Sequence, residues 1–213
     1  MQALWSAIVR GYLAVIAPVA DWLVAKRVRP NTITTIGTIC TCTAGAIFAM
    51  GHISIGGWFL GLTALFDVLD GTVARRTGQS SVFGAFYDST LDRVADGFLL
   101  GGLVVFYATH PVHHNRGMVV VALLALIATF LTSYTNARAE GLGFTARVGV
   151  LQRPERITLL SAPQAFFGLA FHGWVLAGIV SLLAVTAWIT FFQRMAYVHR
   201  IASTMPAPTS PGE

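Results

Sequence analysis

Asp67 and Asp70 stand three residues apart, and Asp88 and Asp92 four apart, so each pair falls on one face of a helix. Asp96 adds a carboxylate one turn further on. Five of the nine acidic residues in the chain lie in this interval, 67–96, inside otherwise hydrophobic sequence. A carboxylate facing lipid at mid-bilayer costs about 3 kcal/mol. Five would consume the whole stability of a typical domain, ~5–15 kcal/mol. These side chains must therefore face a polar interior or bind cations. Four carboxylates in one pocket repel one another unless hard cations neutralise them. Mg²⁺, which takes carboxylate and phosphate oxygens together, is the natural guest, and Mn²⁺ or Ca²⁺ could substitute. Gly71 and Gly84 would let a nucleotide or pyrophosphate approach the backbone. Arg75 offers a fixed fork for a phosphate.

The elements that must hold these residues are membrane helices. Of 213 residues, 55% are hydrophobic and only 11% charged, against about 25% charged in soluble domains. At ~20 apolar residues per crossing, the expected fold is all-α, with six transmembrane helices and little room for anything outside the membrane. The apolar stretches run over 32–50, 55–75, 82–108, 117–140, 154–172 and 174–197. The short link Thr77–Ser81 makes the second and third stretches antiparallel neighbours, which brings Asp67/Asp70 and Asp88/Asp92 to similar depth. Residues 1–29 are expected to form an N-terminal juxtamembrane amphipathic helix at the interface, with Leu4, Ile8, Tyr12 and Ile16 at spacing four. Residues 30–200 then form the catalytic domain, and the Pro/Ser/Ala-rich 201–213 a disordered tail.

Charge sets the orientation. Thirteen of the fourteen basic residues flank the ends on the N-terminal side, and only Arg116 falls on the other, where five of the six histidines lie. The positive-inside rule then puts both termini and the acidic site on the cytoplasmic face of the cell inner membrane. The histidines, scattered over short outer links, read as a solvated rim. Cys40 and Cys42 read as small core residues, with no second pair to complete a metal site. The sequence lacks the internal repeat common in secondary transporters, which weighs against a cation transporter. Nothing points to nucleic acid.

Asp67-Val-Leu-Asp70-Gly71-Thr-Val-Ala74-Arg75, then eight residues, then Gly84-Ala-Phe-Tyr-Asp88-Ser-Thr-Leu-Asp92, fits the signature DxxDGxxAR…GxxxDxxxD at every fixed position. On this motif the chain resembles the CDP-alcohol phosphotransferases (CDP-alcohol phosphatidyltransferases). The resemblance extends from Arg29-Pro30-Asn31 through the sixth stretch. It implies a six-helix fold, usually homodimeric, with a cytoplasm-facing polar cavity. It also implies transfer of a phosphatidyl group from CDP-diacylglycerol to an alcohol, with release of CMP. By the resemblance, Asp67, Asp70, Asp88 and Asp92 would ligate two divalent ions, with Asp92 also the general base for the acceptor hydroxyl. Asn31, Thr34, Asp70, Gly71, Ala74, Arg75, Ser81 and Gly84 would frame the CDP-lipid. The chemistry is consistent, since phosphoryl transfer needs mostly positioning and charge neutralisation. Asp96 lies outside the signature and is either a supporting group or a structural partner of Arg93.

An anionic acceptor beside a diphosphate needs its own cationic clamp. Arg138, Arg153, Arg156 and Arg194, with Asn136 and Arg147 nearby, could supply one. Arg153 and Arg156 stand at a helix start, itself favourable to phosphate. They could equally be ordinary cytoplasmic anchors. Ser133-Tyr134-Thr-Asn136-Ala-Arg138-Ala139-Glu140, with Arg153-Pro154-Glu155-Arg156, resembles the actinobacterial phosphatidylinositol phosphate synthases and their archaetidylinositol phosphate relatives. Asn136 departs from that pattern, which usually carries Lys or Arg there. The expected acceptor is a phosphorylated polyol such as inositol phosphate. Glycerol 3-phosphate, as in a phosphatidylglycerophosphate synthase, or an uncharged alcohol stays open. A UbiA-type prenyltransferase also pairs aspartates with Mg²⁺ and a diphosphate, but it needs a longer chain and lacks DGxxAR.

Overall fold

The structure, a computed structural model, describes residues 17–146 and 148–203. Arg147, the first half of the expected N-terminal helix and most of the tail lie outside the described residues. Among the described residues every regular element is a helix: 17–25 (α1), Pro30–Ala49 (α2), Ile53–Thr77 (α3), Val82–Thr109 (α4), Arg116–Gly141 (α5), Arg153–Phe167 (α6) and Trp174–Ala202 (α7). Four of them are long and apolar enough to cross a membrane: α2, α3, α5, and α7 with the turn before it. The remaining two of the six expected stretches are helical too. α4 carries Asp88, Asp92, Arg93 and Asp96, which interrupt its apolar run, and α6 has only 15 residues.

Local chemistry fixes the ends. Pro30 opens α2, where its missing N–H costs nothing. Gly78 closes α3 in the left-handed region at φ 65°, so the chain reverses at once into α4. Ser81 caps α4 by accepting the Gly84 N–H at 3.0 Å. Glu155 accepts the Gln152 N–H at 2.7 Å and starts α6 with Arg153 and Arg156 in its first turn. The fifth stretch, expected to run to 172, stops at Phe167. Gly168 turns to φ 50° there, and a short 3₁₀ turn, Phe171–Gly173, leads into α7.

The helices pack as two linked sets: α2 against α3 and α4, α3 against α6, and α5 against α4 and α7. The main core joins Phe48, Leu60, Leu99, Leu103, Phe106, Leu160, Leu176 and Val180. Gly45 and Gly102 bring α2 and α4 into backbone contact, since a Cβ on Gly102 would overlap the Gly45 carbonyl. A smaller cluster of Ala20, Ile33, Leu69 and Val73 docks α1 on α2 and α3, and Arg76 pairs there with Asp21. The short α3–α4 link does not make these helices direct neighbours as expected: α2 packs against both, and Arg153 of α6 reaches the acidic residues of each.

Candidate active site

The short α3–α4 link and the shared packing on α2 bring the two acidic pairs within electrostatic reach of each other. Asp70 is buried, 8% exposed, and accepts the Thr34 hydroxyl of α2 at 2.7 Å. Asp88 lies within electrostatic reach of Asp67 and Asp70, and Asp92 of Asp67 and Asp88. A single nitrogen joins the two helices: Arg153 Nη1 sits 2.6 Å from Asp67 Oδ2 and 2.9 Å from Asp92 Oδ1. Among the described residues no three carboxylates close on one point as the side chains stand. The donor set nonetheless suits a hard divalent ion. It is anionic and all oxygen, and two of its members already share one cationic group.

Beside the carboxylates, α2 and the start of α4 meet. A Cβ on Gly84 would lie 3.1 Å from Ser81 Oγ and 3.6 Å from Asn31 Oδ1. Thr34 joins this corner through Asp70, and Thr35 through a 2.9 Å hydroxyl contact with Tyr87. Gly71 faces the Arg75 guanidinium, whose Nη1 would stand 3.3 Å from a Cβ there. Arg75 itself is exposed and donates to Thr72 Oγ1 at 3.4 Å. The carbonyl of Ala74 accepts the N–H groups of Gly78 and Gln79 where α3 ends, on the adjoining turn.

On the other side of Asp92 opens a cavity of about 730 Å³ between α4, α5, α6 and α7. Its charged lining is Arg93, Arg153, Arg156 and Arg194 against Asp92 and Glu140, so cations outnumber anions four to two. Arg156 Nη1 donates to Thr129 Oγ1 at 3.1 Å. Arg194 donates to the carbonyls of Val148, at 2.9 Å, and Thr132. Asn136 donates to Glu140 Oε1 at 2.9 Å. The buried Nε–H groups of Arg93, Arg153 and Arg156 make no hydrogen bond, and neither does Asn136 Oδ1. Buried donors without acceptors are costly, and an anionic oxygen entering the cavity would relieve them.

Four of the five residues expected to hold the acceptor line this cavity; Arg138 is exposed and does not. Two residues enter here beyond the expected set: Arg93, which the sequence marked only as a structural partner of Asp96, lines the wall, and Thr129 accepts a hydrogen bond from Arg156. Arg93 stands on the turn between Asp92 and Asp96, a position the spacing already marks. Thr129, inside an apolar run, gives no such signal.

Residues 27–196 match the CDP-alcohol phosphatidyltransferase family. The chain is 37% identical over 196 residues to the phosphatidylinositol phosphate synthase of Mycobacteroides abscessus, covering 92% of this chain and 84% of that protein. It is 36% identical over 183 residues to the archaetidylinositol phosphate synthase of Methanothermobacter thermautotrophicus, covering 86% and 88%. The fold superposes on a crystal structure of Mycobacterium tuberculosis phosphatidylinositol phosphate synthase with CDP-DAG bound, at TM-score 0.81 and 31% identity, over 94% of this chain and 99% of that one. A crystal structure of the same enzyme in complex with manganese and citrate superposes at TM-score 0.80 and 31% identity, over 93% of each chain.

Proposed function

The chain belongs to the CDP-alcohol phosphatidyltransferase family, and from that premise we propose that it moves the phosphatidyl group of CDP-diacylglycerol onto inositol phosphate, releasing CMP. The observation that carries the choice of acceptor is the four-arginine cavity opening directly beside Asp92. Four guanidinium groups around one cavity suit an anionic acceptor better than an uncharged alcohol. The relatives above are named for inositol phosphate products, which favours inositol phosphate over glycerol 3-phosphate.

In this reading Asn31, Thr34, Gly71, Ala74, Arg75, Ser81 and Gly84 frame the cytidine diphosphate, with Asp70 held in place by Thr34. Asp67, Asp70, Asp88 and Asp92 would hold a pair of divalent ions, Mg²⁺ or Mn²⁺, which when bound neutralise the diphosphate and favour the departure of CMP. Arg153, Arg156 and Arg194 bind the acceptor phosphate, and Asn136 hydrogen-bonds a ring hydroxyl or phosphate oxygen. Arg138, exposed and off the cavity, contributes less than the other three. Asp92 takes the proton of the attacking hydroxyl. That oxygen forms a bond to the lipid-bearing phosphorus, the bond from phosphorus to the oxygen of CMP breaks, and CMP leaves with the electron pair. Arg153 must release Asp92 for this to happen, and the acceptor phosphate offers it the alternative partner.

The membrane frame follows the same logic. α4 and α6 complete six crossings with the four long apolar helices, and the arginine-rich face lies in the cytoplasm. A groove of about 720 Å³ along α2, α4 and α5, lined by Gly45, Gly97, Phe98, Gly101 and Val105, offers a face on which a second copy could pack as a homodimer.

CMP release with a panel of acceptors tests the acceptor. Inositol phosphate should be used far better than free inositol or glycerol 3-phosphate. Arg153→Ala should lower kcat/KM for inositol phosphate by roughly 10- to 100-fold, the worth of a lost charge-assisted contact, and lower it less for free inositol. Equal use of inositol and inositol phosphate, indifferent to Arg153→Ala, would end this reading.

A further inference from the structure

Asp96 is a carboxylate on α4, one turn beyond Asp92, and only 5% exposed. It lies outside the family signature, yet a buried anion in a membrane helix persists only where cations meet it. Three do. Arg93 Nη2 stands 3.8 Å from Oδ2, Arg156 Nη2 3.7 Å from Oδ2 and Arg153 Nε 3.6 Å from Oδ1. These are ion-pair distances, longer than hydrogen bonds, and Oδ2 accepts none. Asp96 therefore gathers three guanidinium groups by charge without tying them down by hydrogen bonds of its own, while Arg153 and Arg156 donate to Asp67 and Thr129. All three line the large cavity.

Arg153 is divided between two sets of anions. Its Nη1 contacts Asp67 and Asp92, while its Nε faces Asp96. With Asp96 neutral, the remaining carboxylates would draw Arg153 toward the donor-lipid side. Arg93 and Arg156 would lose the anion that offsets their mutual repulsion. We infer that Asp96 is a positioning residue for the acceptor, the buried counter-charge that keeps Arg93, Arg153 and Arg156 gathered and open toward the acceptor phosphate. This rests on the reading that the acceptor is phosphorylated.

The inference has a distinctive sign. A carboxylate that merely diluted the positive field would repel a phosphate, and its neutralisation would lower the acceptor KM. A positioning carboxylate does the opposite. Steady-state kinetics of the purified full-length protein in detergent, with CDP-diacylglycerol and inositol phosphate, separate the two. Asp96→Asn, nearly isosteric, should raise the KM for inositol phosphate by roughly 10- to 100-fold, the usual effect of removing a group that orients a ligating side chain. The KM for CDP-diacylglycerol should stay within about twofold by the same logic. Asp96→Glu keeps the charge but shifts it by one methylene, so it should restore part of the loss. It carries the test alone if the Asn variant fails to fold, since its acceptor KM should still exceed wild type while the donor KM does not. An acceptor KM that falls or holds, or two KM values that rise together, overturns the role of Asp96. A wild-type enzyme that ignores inositol phosphate overturns the acceptor reading, and this inference with it.

Discussion

Asp92 and Arg153 form the contact on which the proposed mechanism turns. At 2.9 Å the guanidinium holds Asp92 Oδ1, so in that mechanism the residue proposed to hold the acceptor also lowers the basicity of the proposed base until the acceptor arrives. Asp92→Asn keeps the shape and removes the basicity. Turnover should fall by about 10²- to 10⁴-fold, the usual worth of a general base, while CDP-diacylglycerol binding survives. CMP release and a lipid-binding assay on the same preparation check both halves, and near-normal turnover would contradict the assignment. Helical spacing was enough to put each carboxylate pair on one face and the two pairs within electrostatic reach, though no three of them converge among the described residues as the side chains stand. The Arg153–Asp67 contact was not legible in the sequence, because 86 positions separate its partners and only the α3–α6 packing unites them. Arg138 and Arg153 read alike as sequence. What separates them is that Arg153 meets Asp67, Asp92 and the buried Asp96, while Arg138 stays exposed.

At the scale of elements, hydrophobic runs located all six main helices, and the cap residues Pro30, Gly78 and Ser81 set the starts and the turn that matter to the site. The end of α6 was not legible, because Gly168 interrupts an apolar run whose composition continues past it. Helix contacts also hide in the sequence, since glycine in a membrane helix reads the same whether or not it touches a neighbour. Gly102→Ala would drive a methyl into the Gly45 carbonyl, whereas Gly178→Ala meets nothing within 4 Å. The first should cost about 1–3 kcal/mol, typical of overpacking, and lower Tm in detergent by several degrees. The second should leave Tm unchanged, and equal effects would contradict the α2–α4 packing. The link from α4 to α5 makes a separate prediction. His110 Nδ1 accepts the Val112 and His113 backbone N–H groups at 3.3 and 3.1 Å. Burial, aided by His110 and His172, holds the His113 imidazole below its ordinary range. The folded state therefore favours neutral His113, and this stability is present above the ordinary imidazole pKa of about 6.5 and lost as pH falls through the lowered value. Wild type should lose more Tm than His113→Gln between about pH 7.5 and pH 5, the span in which imidazole titrates. Parallel losses would contradict it.

Across the whole molecule, few charges and their one-sided distribution announced a membrane protein. Composition alone credits only four of the helices as spans. α4 fails that measure because it carries Asp88, Asp92, Arg93 and Asp96, so the candidate site is visible as a defect in an otherwise apolar helix. The arrangement separates two jobs across Asp92. The α2–α3–α4 corner suits a nucleotide-linked lipid, and the basic cavity between α4, α5, α6 and α7 suits a charged acceptor. Between them stand carboxylates from two helices around a cation, a position Arg153 fills in this structure. A crystal of the protein grown with Mn²⁺ and measured at the manganese absorption edge tests that claim most directly. The anomalous map should hold two peaks within about 2.6 Å of the oxygens of Asp67, Asp70, Asp88 and Asp92, the range for hard-cation coordination, with Arg153 turned away toward the basic cavity. Peaks elsewhere, or Arg153 still bridging Asp67 and Asp92 with no metal beside them, would contradict it.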